Sequence, residues 1–327
     1  MKINKQKVVL FLIITFLISW LVAFMLHRAG ISYGSPRSLF FIALIYMPAP
    51  AYATIIVQKL IYDQPLKNYG LRLKKTSIRW IIGAMGFALL FALVTVLIVW
   101  ILGNIFGIPG FGILSFDKHE IINYLEQTRI AEVPTTDELF PMHPIIFFIV
   151  GVFGNIILGA IVNFPFALGE ELGWRGLLVN ELSPLGFFRS TFLIGIIWGI
   201  WHIPVILMGH NFPSYPIIGS LMMITFCLSL SFPLSYFRLR ANSVFAPTVV
   251  HGIVNANAGL VMLYFIRGNI LFANISGVAG ILSAIILTIF IFKYDPKFIS
   301  VLSDKHRFLA LFDKEIKNEN SEQRESR

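Results

Sequence analysis

Long apolar runs separated by short polar breaks fill the chain. A helix needs about 20 mostly apolar residues to cross a bilayer. Eight stretches come close: 8–26, 39–57, 80–102, 145–168, 188–207, 215–237, 244–266 and 270–292. The expected fold is all-α, a polytopic transmembrane bundle of about eight spanning helices. The first stretch follows "MKINKQK". Its apolar core is too long for the central region of a signal peptide and no A-x-A-like site follows, so it reads as an anchor that stays.

The polar breaks set the orientation. If the first residues are cytoplasmic, the inside segments hold Lys2, Lys5 and Lys7, six basic residues between Lys59 and Arg79, Arg175 and Arg189, Arg238 and Arg240, and eight from Lys293 onward. The outside segments hold only Arg28, Arg37, Lys118, Arg129 and Arg267. Basic residues collect in cytoplasmic loops, so both termini are expected inside. The chain divides into 1–144, with three helices and an acidic extracytoplasmic loop; 145–292, the region richest in membrane-embedded polar groups; and 293–327, a cytoplasmic tail read as an interfacial helix with a disordered end. The outside loop contains "EIINYLEQTRIAEV", which suits a short amphipathic helix in a solvated connector.

Composition agrees with a membrane protein. Of 327 residues, 57% are hydrophobic and 13% charged, and mean hydropathy is +0.78, whereas soluble domains carry roughly 25% charged residues. The net charge of +9 is explained by the cytoplasmic loops, and no nucleic-acid partner is expected. The single Cys227 excludes an intramolecular disulfide. No internal repeat stands out, which counts against a transporter built from two similar halves.

Ionisable side chains inside a bilayer cost roughly 2.5–3.5 kcal/mol each on insertion scales and mark function by default. Few remain once loops and tail are set aside. "ALGEELGWRGLLVN" carries Glu170, Glu171 and Arg175. On a continuing helix Glu171 and Arg175 are i and i+4, the favourable order for an ion pair. Glu170 projects about 100° away without a built-in partner, and a poorly solvated carboxylate suits general-base work. "WGIWHIP" places Trp198 and His202 on one face, with Pro204 loosening the helix just beyond. "HGIVNAN" places His251 and Asn255 on one face, where two N–H donors on adjacent turns suit an oxyanion hole. Plainer readings are an interfacial salt bridge for the first segment and helix-to-helix hydrogen bonds for the other two. Gly195, Gly199 and Gly252 would permit close helix approach. Together the three segments hold the parts needed to add water to a peptide carbonyl, on a substrate in or near the membrane.

"EELGWR", "WGIWH" and "HGIVN" resemble, in that order, the E-E-x-x-x-R, F/W-x-x-x-H and H-x-x-x-N motifs of the CAAX protease and bacteriocin-processing (CPBP, or Abi) intramembrane peptidases. The motif-bearing region covers 145–266, near a third of the chain. The resemblance implies an eight-helix bundle with a polar cavity open to the cytoplasm, and a CAAX-type membrane endopeptidase. It implies that Glu170 with His202 activates the attacking water, that His251 and Asn255 form the oxyanion hole, and that Glu171 and Arg175 orient and support the site. It also leans toward a metal-free mechanism. Zinc is the alternative, with Glu170, His202 and His251 as ligands, a set that would use up the base or rely on Asn. The expected partners are the lipid bilayer and a membrane-embedded or lipid-associated peptide or protein. A non-catalytic membrane partner, such as a bacteriocin immunity protein or export regulator, is the other reading. High Ile, Phe, Asn and Lys usage points to an AT-rich bacterial genome and a bacterial plasma membrane.

One geometric tension accompanies this reading. Counted from helix starts at 188 and 244, His202 lies about 21 Å along its helix and His251 about 10 Å, yet the two should be neighbours.

Overall fold

The computed structural model describes residues 2–128 and 139–312. It is an all-α polytopic bundle. In chain order the helices are α1 (Lys5–Arg28), α2 (Pro36–Ile61), α3 (Lys75–Ile105), α4 (Lys118–Thr128), α5 (Pro144–Ile161), α6 (Phe164–Glu171), α7 (Phe187–Leu207), α8 (Pro216–Ala241), α9 (Phe245–Leu263), α10 (Val278–Tyr294) and α11 (Pro296–Ser303). Among the described residues, seven helices are long and apolar enough to cross a membrane. The pair α10 and α11, bent by 99°, makes up to eight. Two short strands, β1 (Ile113–Leu114) and β2 (Phe265–Ile266), pair antiparallel beside the long loop. α9 is the most buried span and α5 the least, so the "HGIVN" helix is central and α5 peripheral.

Two boundaries differ from those read in the sequence. The run 145–168 is not one helix. α5 stops at Ile161, and α6 restarts with Pro165 in its first turn. Proline has no N–H for the preceding turn, and its ring crowds that turn's carbonyl. Asn163, at the joint, donates from Nδ2 to the Gly252 carbonyl at 3.1 Å. The glutamates therefore ride on a separate short helix inside the bundle, and every residue of 169–179 is buried. The eighth helix begins at Val278 rather than Ile270. Asn269 and Asn274 each turn the backbone by accepting from an N–H two residues on, Leu271 and Ser276. The tail also differs. Leu302, Phe308 and Phe312 are buried against the bundle, with the Phe187 and Phe308 rings 6.2 Å apart, so this segment packs on protein rather than on the bilayer surface. The amphipathic stretch of the long loop is helical as α4, but its end past Thr128 lies outside the described residues, as does the tail past Phe312.

The loops sort into two ends of the bundle. At the first end Lys7 pairs with Glu181 at 3.1 Å, Asn180 donates to the Asn68 carbonyl at 3.0 Å, Arg72 donates to the Asn242 carbonyl at 3.2 Å, and Tyr236 donates to Asp295 at 2.6 Å. At the opposite end lie the β1–β2 pair, a bond from the Tyr264 hydroxyl to the Pro144 carbonyl of 2.8 Å, and one from Asn269 to the Tyr215 hydroxyl of 3.0 Å.

Glycines set the closest helix contacts. A Cβ on Gly159 of α5 would lie 2.4 Å from the Ile253 Cα of α9, and one on Gly199 of α7 would lie 2.4 Å from the Ile224 Cα of α8. Backbone on the far side cannot swing away as a side chain can. Gly159→Ala is therefore expected to destabilise the bundle by about 1–3 kcal/mol. Gly154→Ala on the same helix, where a Cβ meets nothing within 4 Å, is expected to leave it unchanged or slightly stabilised. Thermal unfolding in detergent measures both, and equal melting temperatures would refute the contact.

Candidate active site

Beyond Glu171 the backbone widens into a π-helical stretch, Leu172–Leu178, a form that recurs at functional sites. Across the change of pitch Arg175 still reaches Glu171, Nη1 to Oε1 at 2.9 Å, with both side chains fully buried. The same Glu171 oxygen meets His251 Nδ1 at 3.0 Å. Arg175 Nη2 donates to Ser231 Oγ at 2.9 Å, and the guanidinium carbon stands 4.3 Å from the Trp198 ring centroid. The Arg175 carbonyl accepts from Arg238 Nε at 3.1 Å. One carboxylate and one guanidinium thus gather α6, its π-helical extension, α7, α8 and α9.

Glu170 is engaged differently. Its Oε2 accepts from Trp198 Nε1 at 2.8 Å. Its partner is thus an indole rather than an imidazole. His202 sits where α7 breaks between Phe187–Trp201 and Ile203–Leu207, because Pro204 lacks the N–H that would continue the ladder. Its Nδ1 lies 2.9 Å from the Trp198 carbonyl. A carbonyl only accepts, so Nδ1 carries the proton and Nε2 of the neutral ring keeps its lone pair. Trp198 therefore touches both residues, Glu170 through its indole and His202 through its backbone.

The depth tension resolves through the same residue. The ring that meets His251 is Trp198, with centroids 5.3 Å apart. Trp198 lies one turn, about 6 Å, nearer the helix start than His202.

The break in α7 is held from outside the motifs. The Trp201 carbonyl accepts from the Tyr46 hydroxyl of α2 and from Trp20 Nε1 of α1 at 3.3 Å. The Trp201 indole donates to Ser19 Oγ at 2.7 Å. Sequence reasoning assigned no role to Trp20, Tyr46, Trp201 or Ser231. The available signal was an indole or hydroxyl inside an apolar run, which needs a hydrogen-bond partner when buried.

Glu170, Trp198, His202, His251 and Asn255 line one cavity of about 530 Å³. Asn255 is exposed on its wall, while Glu171 and Arg175 lie behind it. At the rim the Tyr33 hydroxyl and His210 Nδ1 are hydrogen bonded. Burial lowers the His210 imidazole to about 4 and raises the Tyr33 hydroxyl to about 12, so both partners are neutral near pH 7. Among the described residues no three His, Cys, Asp or Glu side chains converge closely enough to hold a metal ion. The set Glu170, His202 and His251 shares the cavity without forming a ligand cluster, and it does not fit zinc in this conformation.

One cavity of an apolar bundle thus holds a buried carboxylate, two imidazoles and an amide. The resemblance read from the three motifs is borne out: residues 141–257 match the family described as Type II CAAX prenyl endopeptidase Rce1-like. A curated relative, CAAX prenyl protease 2 of Methanococcus maripaludis, is 26% identical over 116 residues, which is 29% of this chain and 43% of the relative. The chain thus spans less than half the length of that relative.

Breaking a buried ion pair costs roughly 3–5 kcal/mol, because the remaining charge is uncompensated. Arg175→Leu is expected to abolish monodisperse folded protein. Arg175→Lys should recover little, since one ammonium cannot fork between Glu171 and Ser231 while stacking on Trp198. Arg175→Leu combined with Glu171→Gln should recover part of the yield. Size-exclusion profiles of detergent-solubilised variants decide, and a normal profile for Arg175→Leu alone would contradict the assignment.

Proposed function

We propose that the protein is a CAAX-type intramembrane endopeptidase that hydrolyses a peptide bond of a membrane-associated peptide or protein. The observation that carries this reading is the shared cavity, lined by Glu170, His202, His251 and Asn255 within an apolar bundle. Water held between Glu170 and His202 attacks the scissile carbonyl carbon, and its proton passes to the Glu170 carboxylate. The carbonyl oxygen takes the electron pair and is held by the Asn255 amide and by His251. Glu171 fixes His251 through Nδ1, and its negative charge favours the imidazolium form, whose Nε2–H donates to that oxygen. Collapse of the tetrahedral species breaks the C–N bond, and the proton on Glu170 leaves with the amine. Arg175 and Glu171 do not touch substrate in this scheme. They position His251 and, through the ring face, Trp198. The scheme uses no metal.

General acid–base groups contribute typically 10²–10⁴-fold to rate, and an oxyanion donor about 10²–10³-fold. Glu170→Gln and His202→Ala are each expected to lower turnover by at least about 100-fold, and Asn255→Ala by a comparable factor, with folding intact by size exclusion. Peptides released by cells carrying the wild type and by cells carrying Glu170→Gln, compared by mass spectrometry, supply the substrate for that assay. Identical peptide profiles, or a purified Glu170→Gln protein as active as wild type, would leave the non-catalytic partner as the better reading.

A further inference from the structure

The resemblance implies a cavity open to the cytoplasm. The cavity's rim and the basic residues, taken together, point elsewhere. Apart from Asn163 at the joint between α5 and α6, its loop-borne residues are Tyr33 from 29–35, His210 and Asn211 from 208–215, and Ile275 and Ser276 from 267–277. All three loops lie at the opposite end of the bundle, where Asn269 reaches Tyr215 and Tyr33 reaches His210. The first-end loops 62–74, 182–186 and 242–244 contribute no lining residue. Below Glu170 that end is closed: Trp174, Leu177 and Leu178 are fully buried, and Tyr69 bridges Gln58 and Glu181 by hydrogen bonds of 2.7 and 2.8 Å.

The basic residues lie at that closed end. Arg175 and Arg238 are buried and say nothing about orientation. Among the other described residues the closed end holds Lys2, Lys5, Lys7, the six from Lys59 to Arg79, Arg189, Arg240, Lys293, Lys297, Lys305 and Arg307. The open end holds Arg28, Arg37, Lys118 and Arg267. The excess of Lys and Arg marks the cytoplasmic side.

We propose that the cavity opens on the extracytoplasmic face and takes a peptide segment presented outside the cytoplasm. The substrate side rests on the peptidase reading, whereas the direction of the opening does not. Labelling of single cysteines with a membrane-impermeant maleimide tests the direction without requiring activity. Ser32 and Ser214 are exposed at the open end, and Lys305 is exposed at the closed end. Cys227 is buried but lines the same cavity, so each variant also carries Cys227→Ala. In intact cells Ser32→Cys, Ser214→Cys and the cavity-wall variant Asn255→Cys are expected to label as fully as after permeabilisation. Lys305→Cys is expected to lose its labelling unless the cells are permeabilised. Labelling of Lys305→Cys in intact cells would overturn the orientation. Absence of Asn255→Cys labelling in intact cells, with Ser214→Cys labelled, would overturn the opening. Neither result depends on whether Glu170→Gln abolishes cleavage, so failure of the peptidase reading remains separately visible.

Discussion

Glu171 and Arg175 face each other with no exposure to solvent, and most of the bundle's polar architecture follows from compensating them. Taking each ion out of water costs several kcal/mol even after relaxation, and their attraction offsets this only if the remaining donors and lone pairs also find partners. One oxygen of Glu171 serves both Arg175 and His251. Ser231 takes a second guanidinium nitrogen, and the Trp198 ring covers the guanidinium face. These partners come from three further helices, so those helices must approach closely. That explains why glycines of α7 stand where a Cβ would strike the backbone of α8, at Gly195 and Gly199.

The helices without motifs are part of the same construction. A proline just past His202 breaks α7 and frees a carbonyl that would otherwise stay unsatisfied in an apolar setting, where each such group is costly. Tyr46 and Trp20 supply its donors, and Ser19 accepts from the adjacent indole. The position of the His202 ring thus depends on α1 and α2 as much as on α7. Trp198 has the complementary task. It ties Glu170 to the level of His251 and His202 to its own backbone, which keeps carboxylate and imidazole on one wall.

Apolar run length located the spans well, because bilayer thickness constrains run length directly. It could not locate the joint at 162–163. Asn163 and Pro165 sit within a run that stays apolar on both sides, and hydropathy averages over the two residues that end the helix. The same averaging hid the loop before Val278. The motif residues were legible as costly polar groups in an apolar region, and the Glu171–Arg175 spacing was readable locally. The Glu170–Trp198 bond was not, since the choice between Trp198 and His202 depends on how α6 docks against α7. Nor could the tail be placed: Phe308 and Phe312, one turn apart, suit a bilayer interface and a protein surface equally, and only the ring of Phe187 distinguishes them.

A centre of the proposed kind must admit water from one side of the membrane without opening a path to the other. The distribution of polar groups around this cavity meets both needs. Toward the rim, Tyr33, His210 and Asn255 offer hydrogen-bonding atoms on a wall that remains accessible. Toward the floor, the charged groups are consumed by one another: Glu171 by Arg175 and His251, the Arg175 carbonyl by Arg238, and Glu181 by Lys7 and Tyr69. Between them stand Trp174, Leu177 and Leu178 with no exposed surface. The pair that orients His251 thus stands behind the cavity lining on its closed side, where Glu171 and Arg175 are fully buried.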